Sequence, residues 1–214
     1  MRIFVVGANG RLGRTVVTRA LAEGHEVTAF VRNRGALPDS SALSISLGSV
    51  TDRPDAIAEA LHGHDAVLSA LGNPLWLKGL RGPAILADAM VNVVKAMYAT
   101  GVPRLVLPVA WGTGRSRAAA SPVVRLVAST LIRRDYRDFD AAEHAVVQSD
   151  LEWTIAYFGA LTDAEPSTRW SASTHIRTPK PLAIARADVA QFLVSSVETP
   201  TLAKHHVVLS GAQP

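Results

Sequence analysis

Cysteine is missing from all 214 residues. Its absence excludes disulfides, thiolate nucleophiles and cysteine-based zinc sites, and it fits a cytoplasmic protein. Long apolar runs are missing as well. No stretch approaches the roughly 20 residues of a membrane span, so no membrane partner is expected. The 7 histidines lack metal-ligand spacing. His62 and His64 bracket a turn and His205-His206 precedes a strand, so no metal is expected. A concentrated basic patch is also wanting. The net charge is +4, from 22 Lys and Arg against 18 Asp and Glu. The arginines are scattered, with small clusters at 32–34, 115–117 and 133–137. A nucleic-acid binder gathers such charge on one face, so anionic cofactor phosphates and a solvated surface are the preferred reading and no nucleic-acid partner is expected. There is no internal repeat and no low-complexity segment. The chain opens directly on a strand pattern, so no signal peptide is expected ahead of the fold.

What is present begins with MRIFVVGANGRLGR. Residues 3–6 form a short apolar run with β-branched side chains, as in a buried strand. Gly7, Gly10 and Gly13 follow at once, and Leu12, Val16, Val17, Ala20 and Leu21 then recur at helical spacing. Strand, tight turn and helix in that order aim the N–H groups of a helix start at an anion such as a pyrophosphate. Gly7 suits the turn, Gly10 an approach of backbone to phosphate, and Gly13 close packing of helix on strand. The competing reading is a glycine-rich turn that binds nothing, and the strand–turn–helix context argues against it.

Strand and helix patterns alternate along the rest of the chain. Residues 25–31 (HEVTAFV) read as a second strand, with Arg32 directly after it. A carboxylate at that place selects NAD, and an arginine meets the 2′-phosphate of NADP. No carboxylate occurs there before Asp39. Residues 43–47 are a weak third strand, and Asp52 is placed to cap a helix over 53–61. Residues 66–71 are a fourth strand ended by Gly72, and the apolar loop 73–83 carries Leu75, Trp76, Leu77 and Leu80. That loop suits a substrate pocket, a subunit contact or packing against the body of the protein. A helix is predicted over 84–100, a fifth strand over 104–109 and an Ala/Arg/Ser-rich insertion over 115–134. There follow a helix over 138–148, a sixth strand over 153–157, a long loop over 158–181, a helix over 186–197 and a closing strand over 206–209. The length suits one α/β domain, a doubly wound, mostly parallel sheet, with covering loops near 73–83, 111–135 and 158–181.

The segments GANGRLG, VRN, LSALG, RLVLPV, SDLEWTIAYFGALTD and ARADVAQFL together resemble the NAD(P)H-binding atypical short-chain dehydrogenase/reductase group, in particular its flavin reductase/biliverdin-IXβ reductase-like and NmrA-like proteins. The most specific parts are the glycine start with the following VR, and Leu161-Thr162-Asp163. The resemblance implies a Rossmann domain with NADPH held at Gly7, Asn9, Gly10, Arg11, Leu12, Gly13, Arg32, Leu71, Gly72, Val109 and Ala110. The chain also departs from the group. Val109 and Ala110 stand where a Ser or Thr is common, and Tyr157-Phe158 where Arg-Pro is common. The Tyr-x-x-x-Lys pair has no counterpart: Tyr136 is followed by Asp140, and the SDLEW register puts Asp135 and Phe139 at the two places. A Ser–Tyr–Lys alcohol dehydrogenase is therefore disfavoured.

The function implied is an NADPH-dependent reductase passing hydride to a flavin, quinone, enone or similar small molecule, with the proton from solvent or substrate. Trp76, Trp111 and Phe158 are the candidate pocket residues. Tyr157 has the better claim as proton donor and Tyr136 the lesser. Asp138 and Glu143, on the helix before the sixth strand, either face the pocket or, the commoner case, are solvated helix charges. The alternatives are an NADP-sensing regulator without turnover and a non-redox tailoring enzyme on the same fold. A monomer or homodimer is expected.

Overall fold

The apolar, β-branched runs lie side by side at the centre of the molecule. The computed structural model describes residues 1–51, 54–72, 85–130, 132–167 and 169–211. The strands β1 (Arg2–Val6), β2 (Glu26–Val31), β3 (Leu43–Leu47), β4 (Ala66–Ser69), β5 (Arg104–Ala110) and β6 (Glu152–Phe158) pair in parallel. Later come β7 (Ala160–Thr162), β8 (Ser171–Ser173), β9 (Ala183–Ala185) and β10 (His205–Ser210). Among the described residues the main sheet has eight strands in the order β3-β2-β1-β4-β5-β6-β10-β8, with β8 antiparallel at one edge. A small parallel pair, β7 and β9, stands apart.

Alternation along each strand divides the core. Phe4 and Val6 of β1 face the helices α2 (Pro54–Leu61), α3 (Leu86–Thr100) and α5 (Arg133–Val147), while Ile3 and Val5 face α1 (Arg11–Ala22) and α6 (Arg186–Val197). Helices on both faces force nearly every central strand residue to be apolar, and β5 is buried from Arg104 to Val109. The sheet order reverses between β1 and β4, which opens a crevice at their carboxyl ends.

Several elements differ from their sequence patterns. The insertion over 115–134 is ordered: Gly114–Ala119 is a 3₁₀ turn and α4 spans Pro122–Ser129. Ser121 Oγ caps α4 by accepting from Val124 N at 3.3 Å, and Pro122 opens its first turn. α5 starts at Arg133, a turn and a half before the predicted 138. β4 stops at Ser69, and the loop over 158–181 contains β7 and β8. His205 and His206 lie within β10. The expectations for Asp52, for the loop 73–83 and for Trp76 lie outside the described residues.

Candidate functional site

The crevice is shaped by backbone before any side chain enters it. Gly7 turns the chain at φ +78, and a Cβ there would sit 2.7 Å from the carbonyl carbon of Ala70. A Cβ on Gly13 would sit 2.2 Å from Gly7 O, so α1 meets the end of β1 at a distance only glycine permits. Gly10 is the N-cap of α1. No side chain caps this helix, and its first turn holds no acidic residue. The N–H groups at its start and the positive end of its dipole are thus left for an external anion. Asn9 clasps the β2 loop, donating from Nδ2 to Asn33 O at 2.6 Å, and this draws Arg32 to the rim of the turn. Arg32 is exposed, and among the described residues it has no carboxylate partner, whereas Arg34 pairs with Asp39 at 3.0 Å. Leu71 is half-buried and Gly72 exposed, both just past β4.

The Leu161-Thr162-Asp163 motif also reaches this crevice. Leu161 and Thr162 lie in β7, and Asp163 accepts from Arg11 at 3.3 Å and pairs with Arg186, whose side chain is 7% exposed at the start of α6. The residue after β7 thereby ties the glycine turn to α6.

The carboxyl ends of β5 and β6 hold a different kind of cluster. Tyr157 is fully buried and donates from Oη to Glu143 Oε1 at 2.6 Å, while Oη itself accepts from Arg115 N at 3.1 Å. His206 stacks on the Tyr157 ring at 5.9 Å, with Nε2 3.4 Å from Glu143 Oε1. Trp111 meets Tyr157 edge-on at 6.2 Å. Burial, together with the neighbouring Glu143 carboxylate, pushes the Tyr157 hydroxyl far above the ordinary tyrosine range. The structure thus places Tyr157, the candidate proton donor, with its hydroxyl on Glu143 and its ring buried. Trp111, a candidate pocket residue, is 2% exposed and packs against the core. Tyr136 donates to Trp111 O at 2.9 Å, and burial raises its hydroxyl too. Val109 is buried and Ala110 half-buried, so each presents mainly backbone at the end of β5. Phe158 is half-buried against the α6 side of the core.

Two charges of α5 turn out to be interior. Asp138 accepts from the N–H groups of Leu86 and Ala87, both at 2.9 Å, and so caps α3 from a neighbouring helix. Glu143 is 5% exposed. Among the described residues no group of three or more His, Cys, Asp or Glu is placed to hold a metal ion. None of the described helices is long and apolar enough to cross a membrane.

A family described as NAD(P)H-binding matches residues 7–200, from the glycine turn to beyond α6. The chain belongs to this NAD(P)H-binding family. An uncharacterized protein of Mycobacterium tuberculosis is 39% identical over 108 residues, which is 50% of this chain and 12% of that protein. The chain thus spans about an eighth of the length of the mycobacterial relatives it matches. Among solved structures, the oxidoreductase ylbE of Lactococcus lactis superposes with a TM-score of 0.82 at 19% identity, over 100% of this chain and 92% of that one. ChuY, an anaerobilin reductase of Escherichia coli O157:H7, gives 0.80 at 20% identity over 100% of both chains. These likenesses show a shared fold, and the family match shows that it is of the NAD(P)H-binding kind.

Within this family frame, the sequence pattern named Glu143 without deciding its place and passed over a role for His206. A signal for Glu143 existed. It lies four residues after Phe139, seven after Tyr136 and three before Val146, which places it on the buried face of α5. Nothing in the sequence near His206 brings it to Tyr157; the pairing of β10 beside β6 does.

Proposed function

We propose that the protein is an NADPH-dependent reductase that passes hydride to an electron-poor small molecule without a Ser–Tyr–Lys triad. The observation that carries this reading is Arg32, exposed and without a carboxylate partner among the described residues, at the rim of an uncapped glycine turn. A guanidinium there fits a 2′-phosphate, and nothing acidic at the end of β2 competes for a ribose diol. The N–H groups at the start of α1, at Arg11, Leu12 and Gly13, would hold the pyrophosphate, with Gly7, Asn9 and Gly10 shaping the turn. Leu71, Gly72, Val109 and Ala110 would line the remaining nucleotide through their backbone. NADPH, when bound, supplies the hydride; the chain orients the acceptor, keeps water from the carboxyl ends of β5 and β6, and leaves the proton to solvent or to the acceptor itself. In this reading Tyr157 and Glu143 position the loop after β5 through Arg115 N. Phe158, and Trp76 in the loop before α3, are proposed pocket residues. The protein acts in the cytoplasm as a monomer or homodimer.

A second reading, an NADP-sensing protein without turnover, is favoured by the interior placement of both tyrosine hydroxyls. Titration of the protein with NADPH and NADH, followed by NADPH oxidation with flavins, quinones and enones, separates the two. The reductase predicts NADPH binding at least tenfold tighter than NADH, with turnover of at least one acceptor. Tight binding with no turnover supports the sensor, and absence of binding overturns both.

A further inference from the structure

Beside the loop after β5, α4 and α5 enclose a cleft of about 520 Å³. That volume lies within the range of small-molecule pockets. Gly112 and Tyr136 line it, and four arginines surround it: Arg117, Arg125, Arg133 and Arg137. Arg117 is neutralised by Asp140. Among the described residues the other three have no carboxylate within ion-pair reach. Arg133 and Arg137 are one helical turn apart on α5, and Arg125 faces them from α4. Like charges gathered this way repel one another and weaken the packing of two adjacent helices unless something anionic sits between them.

The cleft is not only basic. Leu126 also lines it and is 64% exposed, and none of the residues of α4 is buried. An apolar wall with a cationic rim suits a ligand with a flat apolar body and an anionic arm. Its location matters as well. Gly112 lies two residues beyond β5, and Tyr136 anchors the intervening Trp111 carbonyl. The cleft therefore lies beside the carboxyl end of β5, on the edge of the sheet where ligands of open α/β folds bind.

We propose that this cleft is the subsite for the oxyanion arm of the acceptor, with Arg125, Arg133 and Arg137 holding the anion, and Leu126 and Tyr136 the apolar body. The assignment rests on the reductase reading and narrows it: the acceptor is an anionic, aromatic molecule, not a neutral one. Carboxylate, sulfonate and phosphate share the chemistry required, so acceptor pairs with one ring system, with and without the anion, test it, and the arginine substitutions separate recognition of the anion from its electronic effect on the ring. These are 1,4-naphthoquinone against its 2-sulfonate, and riboflavin against FMN. In the wild type the charged member of a pair shows kcat/KM at least tenfold above its neutral twin. In Arg125→Gln/Arg137→Gln the ratio falls to within twofold of one, while NADPH affinity stays within twofold of wild type. A preference for the sulfonate alone assigns a strong-acid arm, and for FMN alone a phosphate arm. Equal use of charged and neutral twins by the wild type, or a ratio unmoved by the double substitution, overturns the subsite. Equilibrium binding of FMN and riboflavin with NADP⁺ saturating makes the decision independent of turnover. If no acceptor turns over yet FMN binds tenfold better than riboflavin and the double substitution abolishes the difference, the cleft stands and the reductase reading falls. If neither FMN nor the naphthoquinone sulfonate binds better than its neutral twin, the cleft falls whatever the turnover.

Discussion

At the carboxyl end of β1 the polar groups are left open. The start of α1 has no side-chain cap, and Arg32 has no carboxylate partner among the described residues. At the carboxyl ends of β5 and β6 most are paired inside the protein, with Glu143 Oε2 and Trp111 Nε1 buried and unpartnered among the described residues. Tyr157, Glu143, His206 and Arg115 N bond or stack with one another inside the protein. Open donors along a crevice cost little because water satisfies them until a ligand arrives, and they mark a place where something binds. A closed interior network binds nothing itself; its loss is felt as lost stability and a loosened loop. The two regions should therefore respond to substitution in different measurements.

The largest effect is expected where the open region meets the core. Gly13→Val drives side-chain carbons into Gly7 O and should cost about 3 kcal/mol or more, seen as a lower urea midpoint. A variant of wild-type stability would break the claim that α1 and β1 meet at glycine distance. Next comes the closed region. Glu143→Ala leaves the Tyr157 hydroxyl without its acceptor and Arg115 N with Tyr157 Oη alone, and about 2–3 kcal/mol of stability should go with it. NADPH affinity should shift less than threefold. A loss of affinity as large as that of Arg32→Ala would erase the distinction between the regions.

Arg32→Ala sharpens the comparison from the open side. Loss of a charge-assisted contact should weaken NADPH by about 10- to 100-fold, with stability within about 0.5 kcal/mol of wild type. NADH, which lacks the 2′-phosphate, should change less than twofold. Equal loss for both nucleotides would remove Arg32 from the 2′-phosphate. The smallest effect belongs to Tyr157→Phe, about 1 kcal/mol near neutral pH from one hydrogen bond. It carries a pH signature. The folded protein keeps the Tyr157 proton above the pH at which an unfolded tyrosine, with its ordinary value of 10.0, releases it. The stability that Tyr157 contributes is full below that pH and declines as the pH rises past it. The difference between wild type and Tyr157→Phe in urea unfolding should thus be flat from pH 7 to about 10 and shrink above. A difference that grew with pH would mean the hydroxyl is not held as a buried donor.

The crevice at the glycine turn was legible in the sequence because its parts are neighbours along the chain. Residues 3–6, three glycines and the apolar stripe of α1 form one continuous pattern, and Arg32 follows the next strand at once. β3 and α6 have the bounds their patterns predict, 43–47 and 186–197. α4 escaped because a helix that buries no residue carries no core-facing stripe to read. β7, β8 and β9 escaped because three residues are too few to show a period of two. Asp138 and Glu143 were left undecided because a charged residue is usually solvated, and only its partners reveal the exception.

By itself, then, the sequence determined the alternation of strand and helix, the glycine turn and the cationic end of β2, since each depends on residues close in the chain and on backbone sterics. Only the tertiary structure decided that Tyr157 faces inward, that Glu143 and His206 meet it, and that Arg125, Arg133 and Arg137 crowd one cleft. Those groups come from separate helices and strands. Burial and pairing between them depend on the order of strands in the sheet and the packing of α5 and α4 beside it, and no local run of residues encodes that order.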